Sequence, residues 1–139
     1  MSAIGVHTLG AILYKETGTD KDKIEKCFDH VLSGLDLYDS GEMVEDEILY
    51  GSAGYLYCLL LLLKHFKEKE KVLKSAIFMV VSNLVRSGKA PGKQYLHFTF
   101  HGKPYLGAAH GTIGILYLII KAALAVDAIK NDQATLASV

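Results

Sequence analysis

The chain has 139 residues, half of them hydrophobic, which suits one small domain with a packed core and excludes a wholly disordered chain. Lys plus Arg and Asp plus Glu number 15 each, so nothing electrostatic points to nucleic acid or an anionic membrane as a partner. The two cysteines, Cys27 and Cys58, form no CxxC or Cys-His pair, which fits a reducing, intracellular compartment, and the opening residues lack the basic-then-apolar order of a signal peptide.

In chain order, an apolar helical segment runs from the start to Lys15. Asp20 then stands as an N-cap before a second helix, whose Ile24, Cys27, Phe28, Val31, Leu32 and Leu35 make one apolar stripe. An acidic stretch follows, with Glu42, Glu45, Asp46 and Glu47. Ser52 to Phe66 reads as a helix buried on most sides; its apolar run, Ala53 to Leu63, is too short to span a bilayer and is closed by Lys64. Lys67 to Lys71 reads as a solvated turn. The next stripe comprises Val72, Leu73, Ala76, Ile77, Val80, Val81, Leu84 and Val85, with Gly88 as its stop. "QYLHFTFHGKPY" alternates and carries Gly102 and Pro104, so it reads as an extended loop rimming any site that follows. His97 and His101 are spaced i, i+4 within it, but the loop removes the helical reason to expect a metal there. A last apolar helix spans Thr112 to about Val126, and the apolar period is lost in "KNDQATLASV". About six helices in three pairs are expected, one partner of each pair nearly all apolar and the other amphipathic.

Each apolar helix opens on a related step: Ser2-Ala-Ile-Gly5, Gly51-Ser-Ala-Gly54 and Gly111-Thr-Ile-Gly114. The expectation is that these glycines let helix N-termini crowd together, leaving free N–H groups and a positive dipole end. Repeated helical hairpins make a solenoid or a closed α/α ring, and in a ring the N-termini converge on the face where a site would lie. Tyr57 and Tyr117 would point inward from such helices but read more simply as core aromatics with satisfied hydroxyls. Cys27 and Cys58 read as small core residues.

Two stretches carry a resemblance. "DEILYGSAGYLYCLLLL" (Asp46 to Leu62) and "GKPYLGAAHGTIGILYLI" (Gly102 to Ile119) closely resemble the lanthionine synthetase C-like family, and within it the eukaryotic LanC-like branch. The likeness covers roughly Met1 to Leu124, with Ser2 in place of a usual glycine. It implies an all-α fold, a partial (α/α)7 toroid with about three hairpins present, in which residues 1–126 form the toroid domain and 127–139 a divergent or frayed tail. The chain then reads as a fragment or truncated isoform. The resemblance further implies zinc-dependent addition of thiols, glutathione in the eukaryotic branch, to dehydroamino acids in peptides and proteins.

By the same resemblance His110 is the candidate proton donor or acceptor beside the metal, and Glu47 aligns with an acidic residue implicated in catalysis. Read without it, His110 caps a helix and Glu47 is a solvated carboxylate. The family's zinc ligands lie in Trp-Cys-x-Gly and Cys-His-Gly motifs, and this chain has no tryptophan and no Cys-His-Gly. No metal ligands and no cofactor are therefore expected in this chain, zinc being implied for a full-length member. Ser52 replaces an arginine frequent in the eukaryotic motif, weakening anion binding there. The competing reading is a non-catalytic helical module that binds glutathione or a protein partner. A glycosidase-like toroid would need a carboxylate pair, and the Glu42–Glu47 cluster is too close in sequence to flank a sugar. The expected location is the cytoplasm, with peripheral association at the plasma membrane left open.

Overall fold

A computed structural model describes residues 2–40 and 45–132; Glu42 and the tail beyond residue 132 lie outside the described residues. Helix α1 spans Ser2–Thr17 and α2 spans Lys21–Leu32, continuing through a 3-10 turn, Ser33–Leu35, into the single-turn α3, Asp36–Asp39. Helix α4 spans Ser52–His65; a 3-10 turn at Lys67–Lys69 leads into α5, Glu70–Gly88; α6 spans Thr112–Ala125 and α7 is the turn Asp127–Lys130. Among the described residues no strand forms, and the isolated bridge between Phe100 and Lys103 is the one β-type pairing. No helix in them is long and apolar enough to cross a membrane.

The arrangement follows the hydrophobic pattern. The nearly all-apolar helices α1, α4 and α6 pack in series, α1 on α4 and α4 on α6, while amphipathic α2 covers α1 and α5 covers α4. Two hairpins are thus complete. The third consists of α6 with the short α7, whose Ile129 is buried. Asp20 caps α2 through its Oδ1, which accepts from the amides of Asp22 and Lys23.

The first two hairpins are joined mainly by packing. Phe28 meets Phe66 edge-on, centroids 4.7 Å apart. Tyr55 is fully buried, and its hydroxyl donates to the Val31 carbonyl at 2.8 Å, which removes the penalty of burying a phenol. Lys15 Nζ lies 4.4 Å from the centre of the Phe66 ring and donates to the His65 carbonyl at 2.5 Å and to Glu68 at 3.1 Å. Lys69 pairs with Glu25 at 2.5 Å. Exposed ion pairs of this kind contribute about 0–1 kcal/mol each, less than one buried aromatic ring, so the apolar contacts dominate the joint.

Three expectations are corrected. The glycine steps do not serve crowding between helix N-termini. A Cβ on Gly54 would stand 2.0 Å from the Ile48 carbonyl oxygen, and one on Gly114 would stand 1.9 Å from that of Ala108. The glycines let the preceding loop lie directly on the start of its own helix. Nor are the first helical amides free: Ser52, Ala53 and Gly54 donate to the carbonyls of Glu45, Asp46 and Glu47, and Thr112 and Ile113 donate to those of Tyr105 and Leu106. Each donor reaches back seven residues, so both loops repeat one wrapped conformation that satisfies the N-terminal donors of its helix. Tyr57 and Tyr117 are not core residues, being 54 % and 58 % exposed. Three residues past the second glycine faces the open side of α4 and α6, whereas one residue past it, at Tyr55 and Ile115, faces the core.

Candidate functional site

The two wrapped loops, 45–51 and 105–111, lie side by side. The Ile48 amide donates to the Ala109 carbonyl at 3.1 Å, and Ile48 Cδ1 reaches toward Gly114. This contact brings Glu47 on the first loop to His110 on the second. His110 Nδ1 and Glu47 Oε2 are 2.8 Å apart.

Glu47 is 1 % exposed, contrary to the reading of a solvated carboxylate. Its burial is compensated locally. Oε2 also accepts from the Leu49 amide at 2.9 Å, and Oε1 accepts from the Tyr50 amide. With the imidazole, the carboxylate has three N–H partners, the arrangement a buried charge requires. An ionised carboxylate only accepts, so with Glu47 in that form Nδ1 carries the shared proton, and Nε2 has no protein hydrogen-bond partner among the described residues. The His110 side chain is 34 % exposed, so its free edge reaches the surface.

The segment ahead of the second loop reaches this pair through Phe100. His97 donates its amide to the Gly88 carbonyl at 2.7 Å, and Leu96 and Phe98 are buried against Gly88, where a Cβ would meet Phe98 Cζ at 2.6 Å. Gly88 ends α5 as expected, and its lack of a side chain also seats this segment. Phe100 lies face to face with the His110 ring, centroids 4.4 Å apart and planes 11° apart. His101 and His97 do not join the Glu47–His110 pair by any polar contact; His101 sits at the hairpin tip with φ 50°.

Sequence reasoning missed two participants. Phe100 was legible in the alternation Leu96, Phe98, Phe100, which puts all three on the face turned to the protein. Asp46 receives a 2.6 Å hydrogen bond from Ser87 Oγ on α5, and burial pushes its carboxyl above the ordinary value of 3.8 despite that bond. No local pattern announces that pairing across 41 residues. Ser52 is buried, with its hydroxyl donating to the Glu45 carbonyl at 3.4 Å.

The donor set does not fit zinc. Among the described residues no three His, Cys, Asp or Glu side chains gather where they could hold a metal. Cys27 is buried between α1 and α2, its Sγ close to Gly10. Cys58 is half-buried in a cavity of about 430 Å3 between α1 and α4, where desolvation pushes its thiol up despite a hydrogen bond with Thr8. The two thiols sit in separate inter-helix spaces.

Helical hairpins in series, with a carboxylate–imidazole pair held at the heads of two successive inner helices, define an α/α-toroid-type protein. The chain belongs to the lanthionine synthetase C-like family, whose model matches residues 3–138. It is 28 % identical over 142 aligned positions to the LanC-like protein GCL1 of Arabidopsis thaliana, covering 95 % of this chain and 33 % of that protein. It is 27 % identical over 128 positions to the glutathione S-transferase LANCL1 of Danio rerio, covering 86 % of this chain and 31 % of that protein. The chain thus spans about a third of the length of these relatives.

Proposed function

We propose that this chain is part of a LanC-like protein that adds a thiol, glutathione by the name of its zebrafish relative, to dehydroamino acids in peptides or proteins, and that His110 and Glu47 are its proton-transfer pair. The observation that carries this reading is the 2.8 Å contact between His110 Nδ1 and a carboxylate that is itself buried and fully hydrogen-bonded.

With Nδ1–H held by Glu47, Nε2 of the neutral imidazole takes the proton from the thiol. The sulfur bonds to the β-carbon of the dehydro residue, and the electron pair of the carbon–carbon double bond moves to the α-carbon. The imidazolium, stabilised by Glu47, returns its proton from Nε2 to that carbon. Nothing is oxidised or reduced, and the imidazole is regenerated. A positioned acid–base group of this kind contributes about 10²–10⁴ in rate. In the family zinc supplies thiolate activation; the donors among the described residues do not fit it, so any zinc would be held by residues other than those described, and the chain alone is expected to be inactive. The cytoplasm suits such a role.

The same misfit of donors favours a second reading, a non-catalytic module that binds glutathione or a protein partner. Glutathione addition to a dehydroalanine peptide, followed by mass spectrometry in the full-length protein, separates the two. Under the first reading His110→Asn lowers the rate about 10²–10⁴-fold with the melting transition retained. Full activity of the Asn variant would remove His110 from the chemistry. No adduct from the unaltered full-length protein, with glutathione still bound, would establish the binding module.

A further inference from the structure

Glu47 fixes one edge of the imidazole, but a single hydrogen bond leaves the ring free to rock about it and to turn over. The second constraint comes from Phe100. The Phe100 and Lys103 backbones exchange hydrogen bonds, Phe100 N to Lys103 O at 2.9 Å and Lys103 N to Phe100 O at 3.1 Å. The two residues between them, His101 and Gly102, have φ of 50° and 72°. This is a two-residue hairpin with both central residues left-handed, the type whose twist suits paired segments. Its base is seated by Leu96 and Phe98 against Gly88. The hairpin therefore holds Phe100 from both sides, and the ring lies nearly parallel to His110 at 4.4 Å.

We propose that Phe100 is a positioning residue for His110: its ring covers one face of the imidazole, so that Nδ1 stays on Glu47 and Nε2 stays turned to the substrate. The inference rests on the proton-transfer reading of His110. A parallel aromatic face does two things here. It blocks the ring turnover that would swap Nε2 for Nδ1 at Glu47, and its negative π-face attracts the imidazolium formed midway through thiol addition. Both act through the imidazole, which the ring touches, and so on the chemical step. Misplacement of a reacting group by about 1 Å costs as much as 10²-fold, so removing the face should lower kcat by about 10- to 100-fold and leave KM near its original value.

The test uses two readouts. In ¹⁵N-labelled chain, His110 ring nitrogens should show one tautomer with the proton on Nδ1, and its ring protons should be shifted upfield by the Phe100 ring current. In Phe100→Leu, of similar size and apolarity but without a π-face, the upfield shift should vanish and the nitrogen signals should move toward a mixed tautomer. Phe100→Tyr should retain both features. In the full-length protein kcat for glutathione addition should follow the same order. Unchanged nitrogen signals in Phe100→Leu would overturn the proposal. Should that variant fail to fold, the unaltered chain decides: absence of the upfield shift would overturn the stack, and its presence with Tyr rescue would uphold it. His110→Asn with full activity would instead defeat the proton-transfer reading, whatever the spectra show.

Discussion

Glu47 and His110 are 63 residues apart in the chain, and their side chains meet at 2.8 Å because two loops of the same conformation pack edge to edge. The two residues occupy different positions within that shared loop. Glu47 stands three residues before Tyr50 and receives that residue's amide, whereas His110 holds the place in its own loop that Tyr50 holds in the first, directly before the glycine that opens the helix. One loop supplies the carboxylate and the next supplies the imidazole, so the pair exists only when both hairpins are docked.

The pair is asymmetric in what it does for the fold. Glu47→Ala would strip the acceptor from the Leu49 and Tyr50 amides and leave a polar void, at a cost of about 2–4 kcal/mol. His110→Asn removes a ring one-third exposed and leaves an amide that can still donate to Glu47, so the change should stay within about 1 kcal/mol. Urea denaturation of the two variants beside the parent gives the comparison. Equal losses would mean that the imidazole is as structural as the carboxylate.

The glycine steps allow a sharper contrast. Gly54→Ala or Gly114→Ala would drive a methyl into a backbone carbonyl oxygen at about 2 Å, and neither backbone can move without breaking the hydrogen bonds that its helix-start amides donate seven residues back. A loss of more than about 3 kcal/mol is expected, enough to unfold a marginal domain. Gly5 sits within α1, and nothing lies within 4 Å of the place its methyl would take, so Gly5→Ala should stabilise by about 0.5–1 kcal/mol through helix propensity alone. Thermal melts of the three variants suffice; a harmless Gly114→Ala would contradict the loop-on-helix geometry.

This contrast also marks what the sequence could carry. Apolar stripes on α2 and α5 and the all-apolar runs of α4 and α6 set helix count and layer order, because 3.6-residue periodicity is local. The repeated glycines were visible, but their reason was not: close approach of a loop six residues upstream is invisible to helix propensity. The burial of Glu47 was hidden for a related cause. An acidic run looks solvated until the amides of Leu49 and Tyr50 are known to turn onto one of its members. Tyr57 and Tyr55 differ by two residues in one apolar run, and only the docking of α4 against its neighbours decides which of them is buried.

Asp46 should make stability pH-dependent. Burial holds its folded carboxyl above the ordinary 3.8, so between 3.8 and the raised value the folded state binds more proton than the unfolded one. Stability from this group is fully present below 3.8 and is lost as pH rises through the folded value. Asp46→Asn keeps an oxygen for Ser87 to donate to and carries no charge. It should raise the melting temperature at pH 7 and leave it unchanged near pH 3. A variant that melts lower at pH 7 would show that the ionised carboxylate is needed for the Ser87 bond.

Two inner helices present apolar stripes that nothing in the described residues covers. On α6 these are Ile113, Tyr117, Ile120 and Leu124, and on α1 they are Val6, Leu9 and Leu13, all exposed. Their spacing is that of a face built to meet a neighbour, and several such side chains together exceed what an isolated domain keeps in water. Repeat arrays that lack a polar end face associate through the exposed one. The chain by itself should therefore self-associate, its apparent mass in light scattering rising with concentration. Because Ile120 and Leu124 face solvent, Ile120→Lys with Leu124→Lys should cost the fold little while shifting the population toward monomer. A parent chain that stays monomeric at every concentration, with one sharp melting transition, would mean that these stripes are tolerated in water and are not the edge of an interface.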